Sequence, residues 1–378
     1  MKSVLIAAYV RSPFHFAKKG ALAKVRPDEM AAQVIRGLLD RTKIDPATIE
    51  DVLMGCAMPE GEQGLNIARL TVLLTGLPIT VAGATVNRFC GSSMQGIHMA
   101  AGAIQLDAGE AFICAGVESM SRVPMTGFNP SPHPGLAKDF PGAYMSMGQT
   151  AENVARKYQV TRGDQDAFAV RSQKKAAAAQ AAGKLKQEIV PIKGKDGVVE
   201  QDGCIRADST AEVLATLSPA FDVNGSVTAA SSSPLTDGAS AVLVCTEDYA
   251  KRNKLEPLAR LKSVAVAGCA PEIMGIGPVA ATKKALERAG IAVKDLDVIE
   301  LNEAFASQSI ACIRELGLDE AKINLDGGAI ALGHPLGATG ARITGKAAQI
   351  LKREGKRYAL ATQCIGGGQG IATIVERL

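Results

Sequence analysis

Two distant stretches of the chain run through the same succession of elements, and this repetition limits the fold more than any other feature of the sequence. From Asp28 to Arg41 apolar residues recur at helical spacing; a connection from Ile44 to Glu50 then leads to the strand-like Asp51-Val52-Leu53-Met54-Gly55. The pattern returns as a helix from Pro278 to Ala289 closed by Gly290, a connection from Ile291 to Leu296, and the strand-like Asp297-Val298-Ile299-Glu300-Leu301. A helix to about Leu106 and a strand from Ala111 to Gly116 follow Cys90, just as a helix to about Arg353 and a strand from Tyr358 to Gln363 follow Gly340. We read this as an internal duplication of a βαβαβ unit. It predicts an α/β fold whose two duplicated halves form a layered core with a largely parallel sheet. The plainer alternative, that any alternating chain rhymes with itself, gains if the halves fail to superpose.

Residues 118–235 have a different character. They open with the irregular Val123-Pro124-Met125-Thr126-Gly127-Phe128-Asn129-Pro130 and continue into an alanine-rich helix, Ala167 to Ala182, with a capping start at Thr161 and a stop at Gly183. An insertion of this kind supplies a lid or a ligand-binding surface; the alternative is a solvated spacer.

With 378 residues, 47% hydrophobic and 21% charged, the chain can bury a large core and divide into about two or three domains. Its eight cysteines include no Cys-x-x-Cys pair, which argues against a zinc ribbon or a dithiol motif and fits a reducing, cytoplasmic location. The apolar run within Met1 to Arg11 is too short for a signal peptide and reads as a buried strand. Phe89 to Leu106 approaches the length of a membrane span, but its Gly, Ser, Gln and His make it a buried helix, so no integral membrane segment is expected. A net charge of +4, 4% aromatics and no Trp exclude a strong basic field and a stacking platform, hence a nucleic-acid partner. The slight excess of Lys and Arg remains available for a phosphorylated ligand.

Cys90 stands where the strand-like Thr85-Val86-Asn87 gives way to Gly91-Ser92-Ser93 and a helix. A helix N-terminus stabilises a thiolate, so this setting predicts a nucleophile whose pKa is lowered from about 8.5. Cys114 and Cys245 lie in apolar strand-like runs and read as core, as do Cys56, Cys269 and Cys312; Cys204 is undecided. Only Cys364, in Thr362-Gln363-Cys364-Ile365-Gly366-Gly367-Gly368-Gln369-Gly370, again has a strand before it and dense glycine after it. The other distinctive run is Gly327-Gly328-Ala329-Ile330-Ala331-Leu332-Gly333-His334-Pro335-Leu336-Gly337-Ala338-Thr339-Gly340-Ala341-Arg342. Its glycines fit neither a dinucleotide nor a Walker phosphate loop. His334, one of four histidines, supplies the base of a thiol and imidazole pair.

These runs, together with Val86-Asn87-Arg88-Phe89 and Asn302-Glu303-Ala304-Phe305-Ala306, closely resemble motifs of the thiolases and, within them, the 3-ketoacyl-CoA thiolases. The likeness extends over nearly the whole chain. It implies a thiolase-like fold with a core half at 1–117 and 236–256, a loop domain at 118–235 and a second core half at 257–378.

The resemblance also implies roles. Cys90 would carry the acyl group, His334 would take its proton, and Cys364 would act as the second acid and base. One oxyanion hole would use His334 with a water held by Asn302, the other the backbone N–H groups of Cys90 and Gly366. On residue type alone Asn302 is equally a capping residue. Arg206 matches a position near the adenine nucleotide of coenzyme A, Ala229 and Ser233 the pantetheine segment, and Met147, Met274 and Phe305 the pocket. Coenzyme A would be a co-substrate, with no tightly bound cofactor and no metal. Acyl-CoA substrates, a homodimer or homotetramer and a β-oxidation partner subunit follow by the same likeness. The chain departs from the family at Ser146, where short-chain biosynthetic members carry His, and at Val213, Ser218, Ala230 and Ser231. The first change implies a pocket for longer acyl chains. Rival readings are an acetoacetyl-CoA thiolase working in condensation and a catalytically silent acyl-CoA-binding protein. Retention of Cys90, His334, Asn302 and Cys364 together disfavours the second, since binding alone requires none of that chemistry.

Overall fold

A computed structural model describes residues 2–378. The first passage of the chain comprises β1 (Val4–Arg11), β2 (His15–Phe16), α1 (Pro27–Thr42), β3 (Asp51–Gly55), α2 (Ile67–Thr75), β4 (Ala82–Val86), α3 (Ser92–Gln105) and β5 (Ala111–Ser119). The middle segment carries α4 (Pro134–Asp139), α5 (Met147–Lys157), α6 (Arg162–Ala181), β6 (Ile192–Gly194), β7 (Gly197–Val199) and α7 (Ala211–Ala215). Then come β8 (Thr236–Thr246), α8 (Glu247–Arg252), β9 (Ala259–Gly268), α9 (Gly277–Ala289), β10 (Val298–Leu301), α10 (Ala306–Leu316), α11 (Ala329–Leu332), α12 (Leu336–Arg353), β11 (Tyr358–Ile365) and β12 (Gln369–Glu376).

The strands follow the order β10-β11-β12-β9-β1-β8-β5-β3-β4, with β2 paired to β8. The halves meet where β1 and β9 share two residue pairs, Leu5 with Arg260 and Ile6 with Ala259. Period-two alternation then sorts the side chains. In the first half, Val52, Met54, Ile113, Leu243 and Cys245 pack under α1 and α2, whereas Leu53, Phe112, Cys114, Val242 and Val244 face the other way. In the second, Ile299, Leu301, Leu360 and Ile374 face α9 and α10, whereas Val298, Ala359, Ala361 and Val375 face inward. Both inward faces close on α3 and α12, through Met94, Ile97 and Ile104 of one and Ile343, Ala347 and Leu351 of the other. Helices and sheet therefore alternate in layers, with α3 and α12 at the centre. Contact there is close: a Cβ on Gly340 would collide with the backbone nitrogen of Met94, and one on Gly337 would lie 2.6 Å from the Val117 carbonyl oxygen.

Three expectations need correction. The sheet is mixed rather than largely parallel: only β3–β4, β3–β5 and β10–β11 run parallel, because β8, β9 and β12 return directly alongside their neighbours. The repeat is also incomplete. Where the first half has β4, the second has a single bridge between Ile299 and Ile323. The side chain of Asn324 supplies the pairing instead, accepting from Leu301 N at 3.0 Å and donating to Leu301 O at 2.9 Å. Finally, α3 buries one face only, since Met99 is 42% exposed.

A buried chain of alternating charges ties the middle segment to both halves. Asp202 pairs with Arg11 at 2.6 Å, Arg11 with Glu188 at 2.8 Å, Glu188 with Lys346 at 2.9 Å, Lys346 with Asp326 at 2.8 Å, and Asp326 with Arg353 at 2.6 Å. Three acids face three bases, so no charge in the series is left uncompensated.

Candidate active site

Cys90 occupies an elbow between β4 and α3. Phe89, just before it, takes a left-handed φ of 43°, a strained conformation for a bulky residue. Side chains hold the elbow: Phe89 N donates to Asn87 Oδ1 at 2.8 Å, Arg88 N donates to Ser92 Oγ at 2.9 Å, and Asn87 Nδ2 donates to Ala57 O at 3.1 Å. The elbow is tethered to the other half as well, since Gln363 Nε2 donates to the carbonyl of Cys90. Gln363 immediately precedes Cys364 on β11.

Cys364 is fully buried, with Met147, Ala151, Val227, Met274, Ala304 and Phe305 around it. After Ile365 the chain reverses through Gly366, Gly367 and Gly368, the last two at φ of 79° and 87°, and Ile365 pairs with Gln369. This turn brings the N–H of Gly366 onto the sulfur of Cys90, where the N–H of Cys90 itself also points.

His334 follows Gly333 and is 4% exposed. Its backbone N–H donates to Thr236 Oγ1 at 3.0 Å, and its Nδ1 lies 2.6 Å from Thr339 Oγ1. The Thr339 hydroxyl in turn donates to Pro335 O at 3.0 Å, so its oxygen accepts from Nδ1–H. The proton is thereby fixed on Nδ1 and the lone pair on Nε2, which faces Asn302 Nδ2 at 3.4 Å. Leu336, two residues on, packs with Cys90, Ala57 and Met120. Asn302 is fully buried, and its Oδ1 has no partner within the protein.

The electrostatics reverse one expectation. Burial pushes the Cys90 thiol up to about 11, and the Glu118 carboxylate adds to the rise, against the N–H groups of Gly366 and Cys90 that pull it down. Desolvation outweighs the helix terminus, so the resting group is a thiol. Burial likewise raises Cys364 well above the ordinary thiol range, with Cys90 contributing next. Burial, aided by the positive charge of Arg342, lowers His334 to about 3. At rest both thiols and the imidazole are neutral, and the Nε2 lone pair of His334 faces Asn302 Nδ2.

The predicted coenzyme positions divide. Arg206 and Ala229 line one pocket of about 240 Å³, together with Phe16, Gln173, Val213 and Ala230. Ser233 does not line it; its hydroxyl donates to Ala304 O at 3.0 Å, and Ser231 accepts from Thr228 N at 2.9 Å. Ser146 caps α5 through a reciprocal pair with Gln149. Sequence reasoning missed Thr339, Gln363, Asn87 and Glu118. Thr339 and Gln363 sit inside the motif runs, but nothing in residue type distinguishes them from packing. Cys204 is buried, whereas Cys269 is half-buried rather than core, beside the Pro271 turn at the end of β9.

Such a fold, with two buried thiols and a tautomer-locked histidine, defines an acyltransferase. Comparison with known proteins agrees. The thiolase N-terminal domain model matches residues 4–248 and the thiolase C-terminal domain model residues 255–377. A 3-ketoacyl-CoA thiolase of Bacillus subtilis is 49% identical and one of Shewanella oneidensis 51%, each over 100% of both chains. Human mitochondrial 3-ketoacyl-CoA thiolase superposes with a TM-score of 0.92 at 38% identity, over 100% of this chain and 99% of that one. The same human enzyme in complex with CoA gives 0.92 over 98% of its chain. The chain belongs to the thiolase family.

Proposed function

We propose that this chain is a 3-ketoacyl-CoA thiolase that cleaves 3-ketoacyl-CoA with coenzyme A, releasing acetyl-CoA and a shortened acyl-CoA. The observation that carries the reading is the meeting of Cys90 and Cys364 beside the Gly366 N–H, with Nε2 of His334 unprotonated. His334 takes the Cys90 proton as the sulfur attacks the 3-keto carbon. The carbon-carbon bond breaks, and the Cys364 thiol protonates the departing acetyl-CoA carbanion. Coenzyme A then gives its proton to the Cys364 thiolate, attacks the acyl-Cys90 thioester and leaves as acyl-CoA. The returning Cys90 sulfur regains its proton from His334. Two thiols are needed because one holds the acyl group while the other moves protons.

The oxyanion of the acyl-Cys90 steps falls to the N–H groups of Cys90 and Gly366. That of the acetyl-CoA enolate falls to His334 and a water on Asn302, whose Oδ1 lacks a protein partner. Met147, Met274 and Phe305, around Cys364, form the acyl and pantetheine end, while Arg206, Ala229 and Ser233 serve the rest of the coenzyme. Ser146, small where short-chain members carry His, leaves room for longer acyl chains.

The physiological role in this reading is fatty-acid β-oxidation in the cytoplasm, with a partner subunit of that pathway. All eight cysteines are free, as a reducing compartment requires, and no helix among the described residues is long and apolar enough to cross a membrane. A homodimer or homotetramer belongs to the same reading. β4 is the edge of the sheet, and Leu73, Leu74 and Ile79 before it are 49%, 42% and 78% exposed, an apolar edge that a second copy would cover.

The deciding experiment follows consumption of 3-ketoacyl-CoAs of graded length with free coenzyme A, beside a Cys90→Ala control. Cys90-dependent turnover of medium and long chains is expected. Exclusive use of acetoacetyl-CoA would shift the assignment to the biosynthetic thiolase, and bound but unconverted acyl-CoA to a silent binding protein.

A further inference from the structure

Phe16 carries two cations on one ring. Lys19 Nζ lies 4.7 Å from the ring centroid and the Arg206 guanidinium carbon 5.1 Å. Local structure builds the arrangement. β2 is pinned to β8 by the pairs His15–Asp237 and Phe16–Thr236, and Gly20 N donates to Phe16 O at 2.8 Å, closing a tight turn that folds Lys19 back over the ring. A Cβ on Gly20 would lie 2.5 Å from that same oxygen, so the turn needs glycine. Arg206 is held independently: its backbone N–H donates to Gln173 Oε1 at 2.8 Å, and its carbonyl accepts from Ser209 Oγ at 2.9 Å.

Neither cation is neutralised. Lys24 nearby pairs with Asp196, and Asp202 is taken by Arg11; among the described residues no carboxylate lies within ion-pairing distance of Lys19 or Arg206. Asp208 lines the pocket beside Arg206, whereas Lys19 lines a second pocket on the other side of Phe16's turn, with Asp196 and Glu200. Sharing one ring places the two charges within roughly 10 Å of each other, about one Debye length at physiological salt, where like charges still repel. The aromatic face offsets part of that repulsion. An anion between them would remove it. Phe16 and Arg206 both line the 240 Å³ pocket that also holds Ala229, so the anion would sit at the outer end of the coenzyme site.

We infer that Phe16, Lys19 and Arg206 form a phosphate clamp for the nucleotide end of coenzyme A, with Lys19 as a specificity residue outside the family motifs. The inference rests on the coenzyme reading above and adds the two residues that the resemblance did not supply. Lys19 and Arg206 would each face the same phosphoryl group, and Phe16 would keep both head groups in place before the ligand arrives, reducing the ordering cost of binding.

Calorimetric titration of CoA and dephospho-CoA into the full-length protein, its Lys19→Ala and its Lys19→Arg variants, at low and high salt, tests this. Lys19→Ala should weaken CoA on the order of fivefold, as for one exposed charge contact, with Lys19→Arg close to wild type and the gap narrowing at high salt. Loss confined to CoA would assign the clamp to the 3′-phosphate; equal loss for dephospho-CoA would assign it to the diphosphate. Unchanged CoA affinity in Lys19→Ala, or a loss that salt does not reduce, would overturn the clamp. Binding is read without turnover. A wild-type chain that binds CoA but cleaves no 3-ketoacyl-CoA would therefore sink the activity reading and leave the clamp standing.

Discussion

His334 Nδ1 and Thr339 Oγ1 lie 2.6 Å apart across the first turn of α12, and this single contact decides which imidazole nitrogen carries the proton. The threonine hydroxyl spends its proton on Pro335 O, so it can only accept from the ring. Thr339→Val should therefore free the tautomer and lower kcat by about tenfold to a hundredfold, part of the 10²–10⁴-fold that positioned acid–base groups contribute. Thr339→Ser should restore it. A valine variant with wild-type kcat in steady-state assays would show that the lock is dispensable.

The two thiols separate by experiment. Cys90→Ala should accept no acyl group from acetyl-CoA or 3-ketoacyl-CoA. Cys364→Ala should still be acylated by acetyl-CoA at Cys90 yet fail to cleave the carbon-carbon bond. Intact-protein mass spectrometry and peptide mapping locate the label. Acetyl on Cys364 instead would reverse the roles.

Acid sensitivity has an assignable source in two neutral histidines, the buried His334 and the half-buried His98. Burial lowers His98 and His334 to about 3 each, while an unfolded imidazole titrates near 6.5. Below that value the unfolded chain binds the extra protons, so each histidine costs stability as the pH falls, up to about 1.4 kcal/mol per pH unit. Glu300 acts in the opposite sense. Burial raises it to about 7, so the folded chain holds its proton first. His98→Gln, which can keep the bond to Thr373 Oγ1 seen at 2.8 Å, leaves Glu300 untouched. Between pH 6.5 and 5 the variant should lose about 2 kcal/mol less stability than wild type. Parallel curves from chemical denaturation at each pH would remove His98 from the account.

Two glycines in the central helix pair should respond oppositely to alanine. Gly340→Ala drives a methyl group into the Met94 backbone and should destabilise by about 1–3 kcal/mol or more. Gly102→Ala, on the same helix as Met94, meets nothing within 4 Å and should stabilise by about 0.5–1 kcal/mol. Thermal unfolding of both variants checks the sign of each.

Breaking the buried charge chain should be expensive. Glu188→Ala leaves Arg11 and Lys346 with Asp202 and Asp326 but makes the buried series one acid short, and should cost about 3–5 kcal/mol. Lys24→Ala, at an ion pair with both side chains more than 70% exposed, should change the melting temperature little. Equal shifts for the two variants would mean that the chain contributes no more than surface pairs do.

Legibility varied with the range of the interaction. Helical spacing placed α1 and α9 within a residue or two, and Thr161 capped α6 as its sequence suggested, because those signals act within a few residues. Cys90, His334, Asn302 and Cys364 stood out through the motif runs around them. Thr339 did not, since its role exists only once the turn at Pro335 brings its hydroxyl under the imidazole. The missing strand near Ile323 was equally hidden: Asn324 looks like any loop residue until its amide meets Leu301 across the sheet.

By itself the sequence determined most of the recurring order of helices and strands and the four chemical groups, because spacing, residue type and glycine placement are local properties. The tertiary structure alone decided that the sheet is mixed and that α3 and α12 share the centre. It also decided that Cys90 rests as a thiol, since the helix terminus is a local, favourable effect whereas desolvation depends on every layer packed around the sulfur.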